Sequence, residues 1–195
     1  MLESARHTFD EDPTIDFELA DIKKWEPRER LDLIFSNAAL HWIDDDELLY
    51  KKLSEFLTPY GTLAVQMPKS HDLPSHRLMR EVAQQGEWST LLEDVEGVMP
   101  LKGHQTYYDI LSRYFKRVDM WETTYIQVLE GENPVMEFTR GSGLRPYLDP
   151  LPPVWREQFL EEYGKKLDQT YEKQSDGKTL FPFPRFFFVC RYTKN

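Results

Sequence analysis

The stretch LDLIFSNAALHWIDDDELLYKKLSEFLTPYGTLAVQMP, Leu31 to Pro68, decides the fold. Its opening DLIFSN, Asp32 to Asn37, is a short, nearly unbroken apolar run ending in small polar residues, as a buried parallel strand does where it meets its loop. Asp44, Asp45 and Asp46 then load the front of a helix, where negative charge complements the helix dipole. Leu48, Leu49, Leu53, Phe56 and Leu57 form one stripe along that helix, TPYG ends it, and TLAVQMP is a second buried strand. Strand, helix, strand is the βαβ unit of the doubly wound α/β class.

Working outward, TIDFELAD, Thr14 to Asp21, alternates Ile15, Phe17 and Leu19 and predicts another strand, and Met1 to Phe9 predicts the end of an amphipathic helix. On the other side, Leu78, Met79, Val82 and Ala83 mark a helix, and Tyr107 to Phe115 a shorter one. RVDMWETTYIQVL, Arg117 to Leu129, predicts a long strand and RFFFVCRYTK, Arg185 to Lys194, a last one. Between them Val154 to Tyr171 predicts a helix with Trp155, Phe159, Tyr163, Leu167 and Tyr171 recurring every fourth residue, an aromatic core stripe.

The bulk numbers narrow the function. A length of 195 residues suits one domain. Asp and Glu number 34 against 24 Lys and Arg, a net charge of -10, and the cations are scattered, which argues against binding a nucleic-acid backbone. The single cysteine, Cys190, lies in FFFVCRY as a buried small hydrophobe, suiting a reducing compartment, and no run approaches membrane-spanning length. A cytoplasmic location with no membrane partner is the expectation. His71 and His76 lack the spacing of a metal pair, so no metal site is assigned.

The only two glycines one residue apart lie in FTRGSGLRPYL, Phe138 to Leu148. A phosphate-cradling loop should follow a strand and open a helix; this one follows a helix pattern with Asn133 as cap and Pro134 in the first turn. Gly141 therefore reads as a helix stop. Arg145, held between that stop and Pro146, is shaped to clamp a carboxylate, with Tyr147 as a hydroxyl donor beside it and Arg140 as second choice. His41, Gln66, Lys102 and His104 are further candidates. In doubly wound sheets ligands sit at the carboxyl ends of strands, here Asp21 and the run Asn37 to Trp42, although Asp and Asn are also ordinary turn formers.

Taken together, LDLIFSNAALHWIDD, GTLAVQMP, GSGLRPYL and FPFPRFFFV resemble the trans-aconitate 2-methyltransferase family of class I S-adenosylmethionine-dependent methyltransferases, over nearly the whole chain. That resemblance implies a Rossmann-like α/β sheet with helices on both faces, and helical substrate-cap insertions around 69–116 and 130–175. It implies S-adenosylmethionine as cofactor: Asp21 and Ile22 at the adenine, Asn37 at the methionine end, and Ala38, Leu40, His41 and Trp42 along the route to the acceptor. The acceptor would be a small polycarboxylic acid held by Arg145, Tyr147, His41, Gln66 and Arg140.

The family's glycine-rich loop and ribose-binding acid have no counterpart here, and the resemblance places them upstream of Met1. The expectation is an N-terminally truncated sheet without its central first strand, in which DLIFSN offers an open edge for self-association. The alternative role is a non-catalytic relative acting as a dimerising or carboxylate-binding module. In the enzymatic reading no catalytic acid or base is needed, because a carboxylate acceptor is already ionised near neutral pH and the protein only has to orient it. Arg145 would then grip a carboxylate that does not react, and Arg145→Ala would raise the acceptor KM.

Overall fold

The computed structural model describes residues 2–9 and 12–192. Met1, Thr193 and Lys194, which the sequence reading placed in terminal elements, lie outside the described residues. Four strands, β1 (Leu31–Asn37), β2 (Leu57–Pro68), β3 (Arg117–Leu129) and β4 (Thr179–Arg191), form one sheet in the order β1-β2-β4-β3. β1 and β2 run parallel, with Asn37 opposite Gln66, and β4 runs antiparallel to both β2 and β3. Helix α1 is Leu2–Thr8, α2 Asp46–Glu55, α3 Pro74–Gln85, α4 His104–Leu111, α5 Pro134–Arg140, α6 Arg145–Leu148 and α7 Pro153–Thr170.

The βαβ unit forms as its pattern predicts. Asp45 caps α2 by accepting from the Leu48 N–H at 3.1 Å, and Asp46 and Glu47 occupy its first turn. Leu49 and Leu53 point into the core, Leu48 does not, and the chain turns directly into β2, so TPYG belongs to the strand rather than to a stop.

Two apolar clusters stand on opposite faces of the sheet, and β4 switches between them. Its first half buries Phe181 and Phe183 among α3, α5 and α7; its second half buries Phe186, Phe188 and Cys190 with α2 and α4. Alternate strand residues point to opposite faces, so the change from odd to even positions moves the covered face from one side to the other. The switch falls at Pro184 and Arg185.

Three expectations are corrected. The run 14–21 forms no strand, and Leu19 is 85% exposed; alternation alone cannot make a strand without a ladder to join. β1 is parallel as expected but not buried: β2 is its one neighbour, and Leu33 and Phe35 are 58% and 69% exposed. β4 begins six residues before Arg185. Its prolines at 182 and 184 lie beyond the last β2–β4 pair, Pro68 with Arg185, and on that side only the Pro184 carbonyl is bonded, accepting from the Lys69 N–H at 3.0 Å.

Candidate functional site

The carboxyl ends of β1 and β2 are laced together where the Ala38 N–H donates to the Gln66 carbonyl at 2.9 Å. Ala38 takes φ 52°, a left-handed conformation that strains a residue with a β-carbon, and so turns the chain sharply off the strand. A single 3-10 turn, Leu40–Trp42, follows. Leu40 anchors it in the core, His41 is partly buried with its ring 4.8 Å from that of Trp42, and Trp42 is half exposed. Burial pulls the His41 imidazole down to about 4, so it is neutral at neutral pH, and its Nδ1 has no hydrogen-bond partner among the described residues.

Asp21 closes a turn rather than a strand. Its Oδ1 accepts from the Lys23 N–H at 3.0 Å, and its carbonyl accepts from Lys24 and Trp25 at 2.8 Å each. Ile22 packs against the α2 side of the core, and Lys23 Nζ lies 3.8 Å from Asp44, tying this turn to the loop that leaves β1. The turn lies along the outer side of α2, where Lys52 Nζ donates to the Lys23 carbonyl at 2.9 Å.

Beside these strand ends the uncovered sheet face forms a concavity of about 520 Å³, within the range of small-molecule sites. Asn37 and Gln66 line it with Phe35, Trp121, Tyr125 and Arg185. Gln66 is almost fully buried, and its Oε1 accepts a hydrogen bond from Arg185 Nη1. Trp121 stacks on Phe187 with ring centroids 5.2 Å apart.

The other sequence candidates lie elsewhere. Arg145 opens α6 with its side chain 74% exposed and its Nε 3.3 Å from Asp149. Tyr147 is buried against Phe159 with centroids 6.0 Å apart, and it lines a separate concavity of about 500 Å³ with Arg80, Glu93 and Glu96. Arg140 pairs with Glu137 at 2.8 Å, Lys102 with Asp46 at 2.9 Å, and His104 with Glu122 at 2.7 Å. None of these five lines the concavity that Asn37 and Gln66 share. Arg185, which does line it, is a lone arginine inside the apolar run FPFPRFFFV.

A parallel βαβ unit extended by an antiparallel pair, with a concavity at the carboxyl ends, fits the class I methyltransferase fold. Residues 1–65 match the family model described as "Methyltransferase domain". Among solved structures the chain is similar to the YcgJ protein of Bacillus subtilis, with a TM-score of 0.56 at 12% identity over 100% of this chain and 79% of that one. It is also similar to Haemonchus contortus phosphoethanolamine N-methyltransferase 2 in complex with phosphomonomethylethanolamine and S-adenosylhomocysteine, with a TM-score of 0.53 at 15% identity over 98% and 40%.

The curated relatives narrow the class. The chain is 41% identical over 190 residues to trans-aconitate 2-methyltransferase of Azoarcus sp. (strain BH72), covering 97% of this chain and 73% of that one. The Yersinia pseudotuberculosis enzyme (serotype O:1b) of the same name is 40% identical over 191 residues, with the same shares covered. The chain belongs to the trans-aconitate 2-methyltransferase family, a family of methyltransferases whose donor is S-adenosylmethionine. No helix among the described residues is long and apolar enough to cross a membrane.

Proposed function

We propose that this protein transfers the methyl group of S-adenosylmethionine to one carboxylate of a small polycarboxylic acid such as trans-aconitate. The observation that carries this is the chemistry of the strand-end site: Asn37, Gln66 and Arg185 line it with aromatic rings, and no carboxylate or imidazole among the described residues lines it to deprotonate an alcohol. A carboxylate is the oxygen nucleophile that needs no such help.

The strand-end residues suit the donor. Asn37 and the strained Ala38 would hold its amino-acid end, Asp21 and Ile22 its base, and Trp42 would flank it. Neutral His41 places no positive charge against a sulfonium. The donor, when bound, supplies an electrophilic methyl carbon. The chain's own share is orientation and the exclusion of water, for which Trp121, Tyr125 and Phe35 supply apolar walls. The helices α3, α5 and α7, which pack together against one end of β4, act in this reading as the cap over the acceptor.

Calorimetry with S-adenosylmethionine and trans-aconitate tests the assignment. Each ligand is expected to bind, and each to tighten the other. A protein that binds the acid and never the donor would contradict methyl transfer.

A second reading, a non-catalytic module that binds carboxylates or pairs with a copy of itself, is favoured by the edge of β1 that no strand among the described residues covers, with Leu33 and Phe35 exposed. Acid binding that is indifferent to S-adenosylmethionine, together with dimers in sedimentation, would support it.

A further inference from the structure

Arg185 stands at the one place where β4 changes the face it buries. On its own face Phe183 is covered by the α5–α7 cluster, while Phe187 faces the open concavity. The guanidinium therefore sits at the border between the helical cap and the sheet face, packed 4.7 Å from the Phe183 ring. It opposes Pro68 of β2 and Thr123 of β3, at the same end of the sheet as Asn37.

Its charge is unspent. Among the described residues no acidic side chain pairs with Arg185, and burial lowers its pKa. The nearby acid of β3, Glu122, points to the opposite face, where Lys69 at 2.6 Å and His104 at 2.7 Å already hold it. A half-buried guanidinium without a counter-ion is costly, and in a chain of net charge -10 an acidic neighbour would have been easy to supply.

The partner it does have is informative. A guanidinium only donates, so Gln66 must turn its amide oxygen toward Arg185, and its Nε2 is left buried with no partner among the described residues. A glutamate of the same shape would make an ion pair there and would remove the orphaned N–H. The amide fixes the direction of one guanidinium nitrogen, Nη1, and leaves the positive charge and the remaining N–H donors available to a ligand.

We propose that Arg185 is the acceptor-specificity residue of this site, reading a carboxylate of the acid that does not react, and that Gln66 is its positioning residue. This rests on the proposed methyl transfer for the identity of the acid, while the anion site itself does not depend on it. A bidentate clamp on the spectator carboxylate leaves the reacting oxygen free of a cation that would quench its nucleophilicity. The ligand class is a small aliphatic di- or tricarboxylate.

The test is calorimetry of the protein, without donor, against trans-aconitate and against inorganic phosphate. Arg185→Gln is expected to weaken trans-aconitate binding by about tenfold or more, as loss of a charge-assisted hydrogen-bonded pair does. Arg185→Lys should recover part of it, the point charge returning without the fork. Gln66→Glu should lose binding to a similar degree while melting no lower than the wild-type protein, an outcome that a merely structural role for either residue would not give.

Unchanged affinity in Arg185→Gln, no binding of trans-aconitate by the wild-type protein, or phosphate binding as tight as trans-aconitate would each overturn the proposal. The two levels separate cleanly. Ester formation with kinetics indifferent to Arg185 sinks this inference and leaves the methyl transfer standing; Arg185-dependent acid binding without any ester formed does the reverse.

Discussion

Gly143 has no room for a side chain: an added β-carbon would come within 2.8 Å of His76 Nε2, whereas one at Gly141 would meet nothing within 4 Å. His76 is buried and hydrogen-bonded to Ser75, so it has little freedom to move aside. Gly143→Ala is therefore expected to cost about 1–3 kcal/mol in urea denaturation, and Gly141→Ala, at an ordinary helical φ of -73°, to be neutral or to stabilise by up to about 1 kcal/mol. The sequence reads Gly141 as a helix stop and gives no reason for Gly143. Only the packing of α3 against the loop separates them, because the reason for Gly143 lies some 70 residues away along the chain.

The same histidine gives a pH dependence. Burial lowers His76 and His41 from 6.5 to about 4, and Arg80 and His71 add to the effect at His76. The unfolded chain takes up these protons first, so their contribution to stability is complete above about 6.5 and lost as pH falls toward 4. For His76 the loss is on the order of 3 kcal/mol. Chemical denaturation across that window should show stability falling with acid above the range where carboxylates titrate, and His76→Gln should flatten the slope.

At the scale of elements, β4 is the member that joins two half-cores. Phe188 is fully buried between β2 and the α2–α4 layer, whereas Leu180, in the first half of the strand, is 40% exposed. Phe188→Ala is expected to cost about 3–5 kcal/mol, and Leu180→Ala less than about 1 kcal/mol, both read as shifts in denaturation midpoint.

The βαβ unit, β3 and the long α7 were legible because each carries its period within its own residues. Two things were not. Pro182 and Pro184 hid the first half of β4, since a strand that pairs on one side only tolerates prolines that a central strand would not. Alternation in 14–21 promised a strand, yet pairing is a property of neighbours, which a local pattern does not contain.

For the molecule as a whole, the fold class could be read from the chain, and of the strand-end residues that this architecture singles out, Asn37 and Gln66 line the concavity. The sequence favours Arg145 as the acid clamp for its rigid surroundings, whereas the tertiary fold gives that residue to solvent and Asp149 and brings Arg185, the clamp proposed above, to the concavity. Comparing Arg145→Ala with Arg185→Gln settles which arginine reads the acid, and the larger rise in acceptor KM is expected for Arg185. The central claim is methyl transfer to a carboxylate. Incubating the protein with methyl-labelled S-adenosylmethionine and trans-aconitate, and analysing the acid by mass spectrometry and NMR, tests it most directly. A monomethyl ester carrying the label on one carboxylate is expected; donor that stays intact, or label that appears anywhere but on a carboxylate oxygen, would contradict methyl transfer to a carboxylate.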